Sequence, residues 1–359
     1  MTASPAQILR SEICALSAYA VASSEGMLKL DAMENPYGLP DDMRAEIGRI
    51  AAAAALNRYP DPAAGRLKQR LRDAMAVPAG LDLLLGNGSD EIIQMLALAV
   101  ARPGAVLLAV EPSFVMFRMI ATIAGLRYVG VPLTCDFQLD GPRLADAIVE
   151  QRPALTFIAY PNNPTGNLFD ADAISRVIER SEGVVVVDEA YHAFAGKSFL
   201  PRVLEHPNLL VMRTLSKLGL AGLRLGVLFG HPHWITELDK LRLPYNIGVL
   251  AQAIAEYVLG RVDVLEDQAG AIRRERARLF ARLASLPGVH PFPSDANFVL
   301  FRVTDADAIF DRLRARRILI KNVSGAHPML RDCLRVTVGS PEENDRFMVA
   351  LQASLPVAA

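Results

Sequence analysis

The chain has 359 residues, which at about 150 residues per domain predicts two domains. Its 38 Lys and Arg against 39 Asp and Glu leave a formal charge of −1, so no basic surplus exists to neutralise a nucleic-acid backbone. With 52% apolar and 21% charged residues the chain can bury a large core, which excludes disorder as its main state.

Taken in chain order, the alanine-rich stretch 51–56 reads as helix on propensity alone. An apolar run ending at Gly86 precedes a helical pattern over 89–101. A strand at 105–110 and a helix at 114–124 follow, then a helix at 144–150 and a strand at 155–160. A helix at 170–180 leads to strands at 184–188, 209–214 and 225–230. Strands rich in Val, Ile and Leu on both faces, separated by helices, predict a buried and mostly parallel sheet in an α/β domain. After about Pro244 the pattern changes to one long helical stretch over 249–283, apolar runs at 296–302, 318–321 and 334–338, and a closing helix over 341–354. These predict a smaller α+β unit. The expected division is an amino-terminal segment, 1–44, that joins the smaller unit, a large domain over 45–244, and a carboxyl-terminal domain over 245–359.

Four motifs in this frame carry chemistry. In the run LLGNGSDEII (84–93), Gly86 and Gly88 let the backbone turn sharply, and Ser89, Asp90 and Glu91 open a helix whose N–H groups suit a phosphate. A tight turn with a helix cap explains the same residues. YPNNPTG (160–166) fixes a rigid loop directly after a strand, presenting the amides of Asn162 and Asn163 where open parallel sheets bind ligands. An ordinary proline turn is the plainer alternative. VVVVDEAY (184–191) delivers Asp188 to a strand's carboxyl end, with Tyr191 three residues on. A magnesium-binding acid would need a G-x-x-x-x-G-K-[ST] loop, which this chain lacks. In TLSKLGLAGLR (214–224), Lys217 follows a strand among small and apolar residues, seven positions before Arg224. Desolvation there lowers an amine's pKa and makes it a nucleophile, whereas Lys29, Lys68 and Lys240 read as solvated surface charges. In this order the four motifs match what pyridoxal phosphate requires: a lysine that forms a Schiff base, an acid for the pyridinium nitrogen, and a phosphate cradle.

On these residues the chain resembles the fold-type-I pyridoxal-phosphate aminotransferases, most closely the histidinol-phosphate aminotransferase family. The resemblance spans nearly the whole chain and includes LDAMENPYG (30–38), NRYPD (57–61) and CLRVTVGSPEEN (333–344). It implies that Lys217 carries the cofactor as a Schiff base and shuttles the proton. It also implies that Asp188 keeps the ring nitrogen protonated, and that Asn163 and Tyr191 bond the ring's phenolic oxygen. The phosphate would be held at Gly88, Ser89, Ser216 and Arg224, with Tyr59 reaching it from the other subunit of a homodimer, and Asp90 would be a further cofactor-binding residue. Phe114 would stack on the ring, a role that needs only an aromatic face. Arg335 would grip the anionic end of the substrate, with Tyr19, Asn35 and Lys321 as further substrate-side positions. Met33 stands where the family often has Asn, and Lys321 where many members have Arg. The Lys217–Arg224 gap is one residue shorter than in some members.

The implied reaction is reversible amino transfer between histidinol phosphate and 2-oxoglutarate in histidine biosynthesis. Aromatic aminotransferases and threonine-phosphate decarboxylases are similar over the same motifs and give the alternatives. A non-catalytic regulator on the same body would append a DNA-binding domain, for which 359 residues leave no room. Cys14, Cys135 and Cys333, odd in number and without C-x-x-C spacing, argue against a disulfide framework or zinc site. His231-Pro-His233 reads as a surface turn, because no acid or cysteine cluster follows at ligand spacing. The amino terminus carries Glu12 and lacks the basic lead of a signal peptide, and no apolar run approaches the ~18–20 residues of a membrane span. A cytoplasmic protein binding small molecules, with no nucleic-acid or membrane partner, is the expectation.

Overall fold

The computed structural model describes residues 4–18 and 21–356. Thirteen strands occur among them: β1 (Leu28–Lys29), β2 (Asp82–Asn87), β3 (Val106–Glu111), β4 (Arg127–Pro132), β5 (Leu155–Ala159), β6 (Val184–Asp188), β7 (Leu209–Thr214), β8 (Leu225–Gly230), β9 (Val289–Pro291), β10 (Phe298–Val303), β11 (Ile318–Leu319), β12 (Lys321–Asn322) and β13 (Cys333–Thr337). Seven form the large sheet, in the order β2-β8-β7-β6-β5-β3-β4, in which only β8 runs against its neighbours.

Alternation along each strand explains why this sheet is buried on both sides. Val185, Val187, Leu209 and Val211 join one apolar cluster, while Val184, Val186, Leu210 and Met212 join another. Side chains two apart share a face, so each strand must be apolar throughout to satisfy both clusters. The strand order also brings the carboxyl ends of β2, β3, β5, β6 and β7 to one edge. The start of β8 meets them there, with Asn87 opposite Leu225 and Thr214 opposite Gly226.

The second sheet is antiparallel, in the order β12-β13-β10-β9, and β1 pairs in parallel with β11. The segment after β1 is laced across both: Leu30 N–H donates to Leu319 O at 2.7 Å, and Leu30 O accepts from Thr337 N–H at 2.9 Å. Met33 is clamped by its backbone, its N–H donating to Thr337 Oγ1 at 3.0 Å and its carbonyl accepting from Asn297 Nδ2 at 2.9 Å. At φ 54° Met33 sits in the left-handed region, which Asn tolerates better than other non-glycine side chains.

Three sequence expectations need correction, and one strand was not expected. The helical stretch over 249–283 is two helices, Val249–Leu259 and Val262–Ala284, because Gly260 is a poor helix former and Arg261 takes φ −127°. The helix expected through 51–56 stops at Ala53: Ala54 is extended at ψ 133°, and the chain turns toward Pro60 instead. The edge strand β4 went unrecognised, since its half-solvated residues and Gly130 break the apolar run. The run 318–321 splits between two sheets, β11 pairing with β1 and β12 with β13.

Asn297 is fully buried, so Asn297→Ala leaves the Met33 carbonyl without its donor. A loss of about 1–3 kcal/mol of stability follows, read from the urea unfolding midpoint. An unchanged midpoint would remove the clamp from this account.

Candidate active site

At the shared edge of the strand ends lies a cavity of about 230 Å³. Its walls include Ala32–Glu34 from the laced segment, Ser89 and Asp90 after β2, Phe114 after β3, Asn163 after β5, Asp188 at the end of β6 with Ala190 and Tyr191 after it, and Thr214 at the end of β7 with Ser216, Lys217, Ala221 and Arg224 after it. Of the residues singled out in the sequence, this lining brings together Ser89, Asp90, Phe114, Asn163, Asp188, Tyr191, Ser216, Lys217 and Arg224.

Lys217 stands on an irregular helical turn, Ser216–Leu220, that opens directly after β7. Thr214 Oγ1 sets the start of this turn: it accepts from Ser216 N–H at 3.1 Å and lies 3.0 Å from Ser216 Oγ. Lys217 Nζ donates to Ala32 O at 3.1 Å. Burial, with the Arg335 cation adding to it, pushes the amine down to about 8. A lysine there has a substantial neutral fraction at mildly alkaline pH.

Asp188 ends β6 almost fully buried, one oxygen accepting from Ala190 N–H at 3.0 Å. Burial pushes its carboxyl up to about 7, and the neighbouring charges of Asp90 and Glu189 act in the same direction. A cationic N–H facing it would reverse this, since opposite charge favours the carboxylate. Asn163 Oδ1 accepts from Arg335 Nη1, and Arg335 Nη2 donates to Asp31 O at 2.9 Å. Tyr191 packs edge-on against Phe298, with ring centroids 5.2 Å apart. Phe114 meets Phe117 edge-on at 5.6 Å, while Phe117 stacks on Phe157 behind it.

The phosphate end rests on two glycines. Gly88 precedes the helix Ser89–Val100 at φ +81°, and a Cβ there would lie 2.6 Å from an Arg224 guanidinium nitrogen. A Cβ on Gly226 would lie 2.6 Å from the Gly88 carbonyl carbon, so β8 can approach the loop only without a side chain. Arg224 Nη2 is 3.9 Å from Asp90 Oδ2, and the other Asp90 oxygen is buried with no hydrogen-bond partner. Open N–H groups at a helix start, two hydroxyls and a guanidinium make a dianion cradle. The donor set therefore fits pyridoxal phosphate: an amine for its aldehyde, an acid for its ring nitrogen, an aromatic face and a phosphate site.

Six other expected residues lie outside this lining or outside the described chain, and one of them, Arg335, reaches it through its bond to Asn163. Gly88 backs Arg224 from behind. Asn35 commits its amide to Leu218 O at 3.1 Å and Gln268 Oε1 at 2.8 Å, which pins the turn that carries Lys217. Lys321 pairs in register with Arg335 across β12 and β13. Tyr59 is 79% exposed and stacks on Tyr245 at 4.3 Å. Tyr19 lies outside the described residues.

The sequence reading missed Glu189 and Arg213. Glu189 is fully buried and bonds Arg213 Nε at 2.9 Å, Ser198 Oγ at 2.9 Å and the Phe199 N–H. This pair ties the chain just after β6 to the last turn of β7, behind Asp188 and Lys217. A charged residue inside the otherwise apolar strand LLVMRT was the available signal. Among the described residues no cluster of His, Cys, Asp and Glu could hold a metal ion.

The depressed amine gives a pH prediction. Only neutral lysine attacks an acylating reagent, so labelling of Lys217 in the cofactor-free chain rises with pH to an inflection near 8, below the usual 10.5. Mass-spectrometric mapping checks this; an inflection near 10.5 would contradict the burial described here.

A family profile described as aminotransferase class I and II matches residues 25–351. The chain is 54% identical over 354 residues to histidinol-phosphate aminotransferase 1 of Ralstonia nicotianae, covering 97% of this chain and 95% of that one. It is 53% identical over 346 residues to the histidinol-phosphate aminotransferase of Chromobacterium violaceum, covering 96% and 97%. The histidinol-phosphate aminotransferase of Sinorhizobium meliloti, solved in complex with pyridoxal-5′-phosphate, superimposes with a TM-score of 0.85 at 25% identity, covering 97% of each chain. The chain belongs to the aminotransferase class I and II family.

Proposed function

We propose that this chain transfers an amino group between histidinol phosphate and 2-oxoglutarate, giving imidazole acetol phosphate and glutamate, in L-histidine biosynthesis. The observation that carries the chemistry is a partly buried, pKa-depressed Lys217 in one cavity with a buried Asp188 and a dianion cradle. The substrate rests on relatives that are 53–54% identical over almost the full chain and act on histidinol phosphate by name.

When bound, pyridoxal phosphate supplies an aldehyde that condenses with amines and a ring that accepts the electron pair of a breaking C–H bond. The chain's own residues do the rest. Ser89, Ser216 and Arg224, with the backbone at Gly88, hold the phosphate, and Phe114 covers one ring face. Asp188 holds the ring nitrogen's proton by ion pairing, which keeps the ring electron-withdrawing. Asn163 and Tyr191 hold the phenolic oxygen. Lys217 Nζ, when neutral and free, would move the proton between the substrate's α-carbon and the cofactor. Arg335 meets the anionic end of each substrate with a planar fork suited to phosphate and carboxylate alike, and Lys321 adds a point charge beside it.

The reading extends to a cytoplasmic homodimer, with residues 1–44 and 245–359 forming the smaller unit against 45–244. Support for dimerisation comes from exposed apolar residues, Leu56 and Tyr59 on one segment and Leu243 and Tyr245 on another, with Tyr59 stacked on Tyr245. No helix among the described residues is long and apolar enough to cross a membrane.

Lys217→Ala should keep the fold and lower turnover by more than about 10³-fold, measured as glutamate formed from histidinol phosphate and 2-oxoglutarate. A variant with wild-type turnover would overturn the mechanism. Preference for phenylalanine, or carbon dioxide released from threonine phosphate, would overturn the substrate.

A further inference from the structure

Three carboxylates line the cavity: Asp188, Asp90 and Glu34. Asp188 stands at the end of β6, where the ring nitrogen is read to bind. Asp90 opens the helix beside Arg224, at the phosphate end. Glu34 belongs to neither group. It lies on the segment between β1 and the Asn35 anchor, beside Ala32, whose carbonyl receives the Lys217 amine. Its charge reaches that amine and favours the protonated form, which places it near the reacting nitrogen.

Glu34 is a held side chain rather than a loose surface acid. Lys29, on β1, donates to Glu34 Oε2 and lies 3.6 Å from Asp31 Oδ1. The strand under Lys29 is itself paired with β11, so the carboxylate is tethered to the small-sheet side of the molecule. Glu34 Oε1 makes no hydrogen bond among the described residues, and the side chain is 50% exposed. One acceptor oxygen is thus fixed at the cavity wall and available to a ligand.

The anion-binding groups lie elsewhere. Arg335 is held by Asn163 and the Asp31 carbonyl, and Lys321 is its register partner on the neighbouring strand. Neither cation is in the cavity lining, which Arg335 reaches through Asn163, whereas Glu34 stands in the wall itself. The two amine donors of the proposed reaction differ in what they bring to that acid. Histidinol phosphate has one anionic group and an imidazole, which donates an N–H when neutral and carries a charge when protonated. Glutamate has two carboxylates and no second donor group. With Lys29 balancing the charge on Oε2, the free Oε1 accepts the imidazole N–H of the first and finds no donor on the second.

We propose that Glu34 is a specificity-determining residue that receives the imidazole N–H of the phosphorylated amine donor through its unengaged oxygen. This rests on the substrate reading above and extends it to how the enzyme tells its two donors apart. Hydrogen bonds to charged groups that are lost without replacement weaken binding strongly.

The test is Glu34→Gln in the holoenzyme, with kcat/KM measured separately for the half-reactions with histidinol phosphate and with glutamate. The ratio of the two should fall about tenfold or more, through a higher KM for histidinol phosphate and an unchanged or lower KM for glutamate. Glu34→Asp, which keeps the charge, should recover part of the ratio. A merely structural role would move both donors in the same direction and leave the ratio as it was, and that result would overturn the proposal. Wild-type turnover of histidinol phosphate scores the substrate reading by itself. Its absence would overturn both, whereas its presence with an unchanged ratio in Glu34→Gln would overturn only the role of Glu34.

Discussion

Lys217 and Asp188 are ionisable groups held where water is largely excluded, and an uncompensated charge in such ground is expensive. The structure responds by drawing their titrations together, the amine down to about 8 and the acid up to about 7. Neither residue has a strong ionic partner of its own among the described residues. Each is suited instead to a molecule that brings an electrophile to one and a cationic N–H to the other. The nearby Asp90 oxygen, buried without a partner, and the Arg224 guanidinium carry the same incompleteness to the phosphate end. The cavity is coherent only as the complement of a cofactor with three distinct ends.

Placing these groups is the work of the sheet. Every functional side chain on it sits within a few residues of a strand end, and the strands are apolar on both faces. Their position is therefore fixed by two packed cores rather than by the loops. The Glu189–Arg213 ion pair adds a local brace behind the site. Both partners are buried, and Ser198 bonds each of them. Removing either one would strand the other charge in the interior, so the pair is costly to break whatever its net contribution to stability. The contact of Arg335 with Asn163 joins the small sheet to the large one at the cavity itself. Substrate-side and cofactor-side residues are thereby coupled.

Much of this was legible in the sequence because buried parallel strands announce themselves. VVVVD and LLVMRT predict both the strand and the direction in which the next residue is delivered, so Asp188 and Lys217 could be placed at one edge. Gly88 and the NPTG loop were legible for a related reason, since close approach and rigid turns restrict residue choice. Other features depend on partners distant in the chain. Asn35 reads as a site residue from its motif, yet its amide holds Leu218 and Gln268. Glu34 lies in the same motif and gave no signal, because its meaning depends on where Lys29 and Lys217 come to rest. The break at Gly260 and the edge strand β4 were missed because periodicity averages over a single glycine and weakens where half the residues face water.

The central claim is that Lys217 presents a reactive cofactor to an amine whose other end is a phosphate. The most direct measurement is the visible absorption of the purified protein, before and after adding histidinol phosphate with no keto acid present. The account predicts a yellow protein whose visible band is lost on adding histidinol phosphate and returns when 2-oxoglutarate follows. A yellow protein indifferent to histidinol phosphate but bleached by phenylalanine would contradict the substrate. A protein that stays colourless with added pyridoxal phosphate would contradict the role given to Lys217.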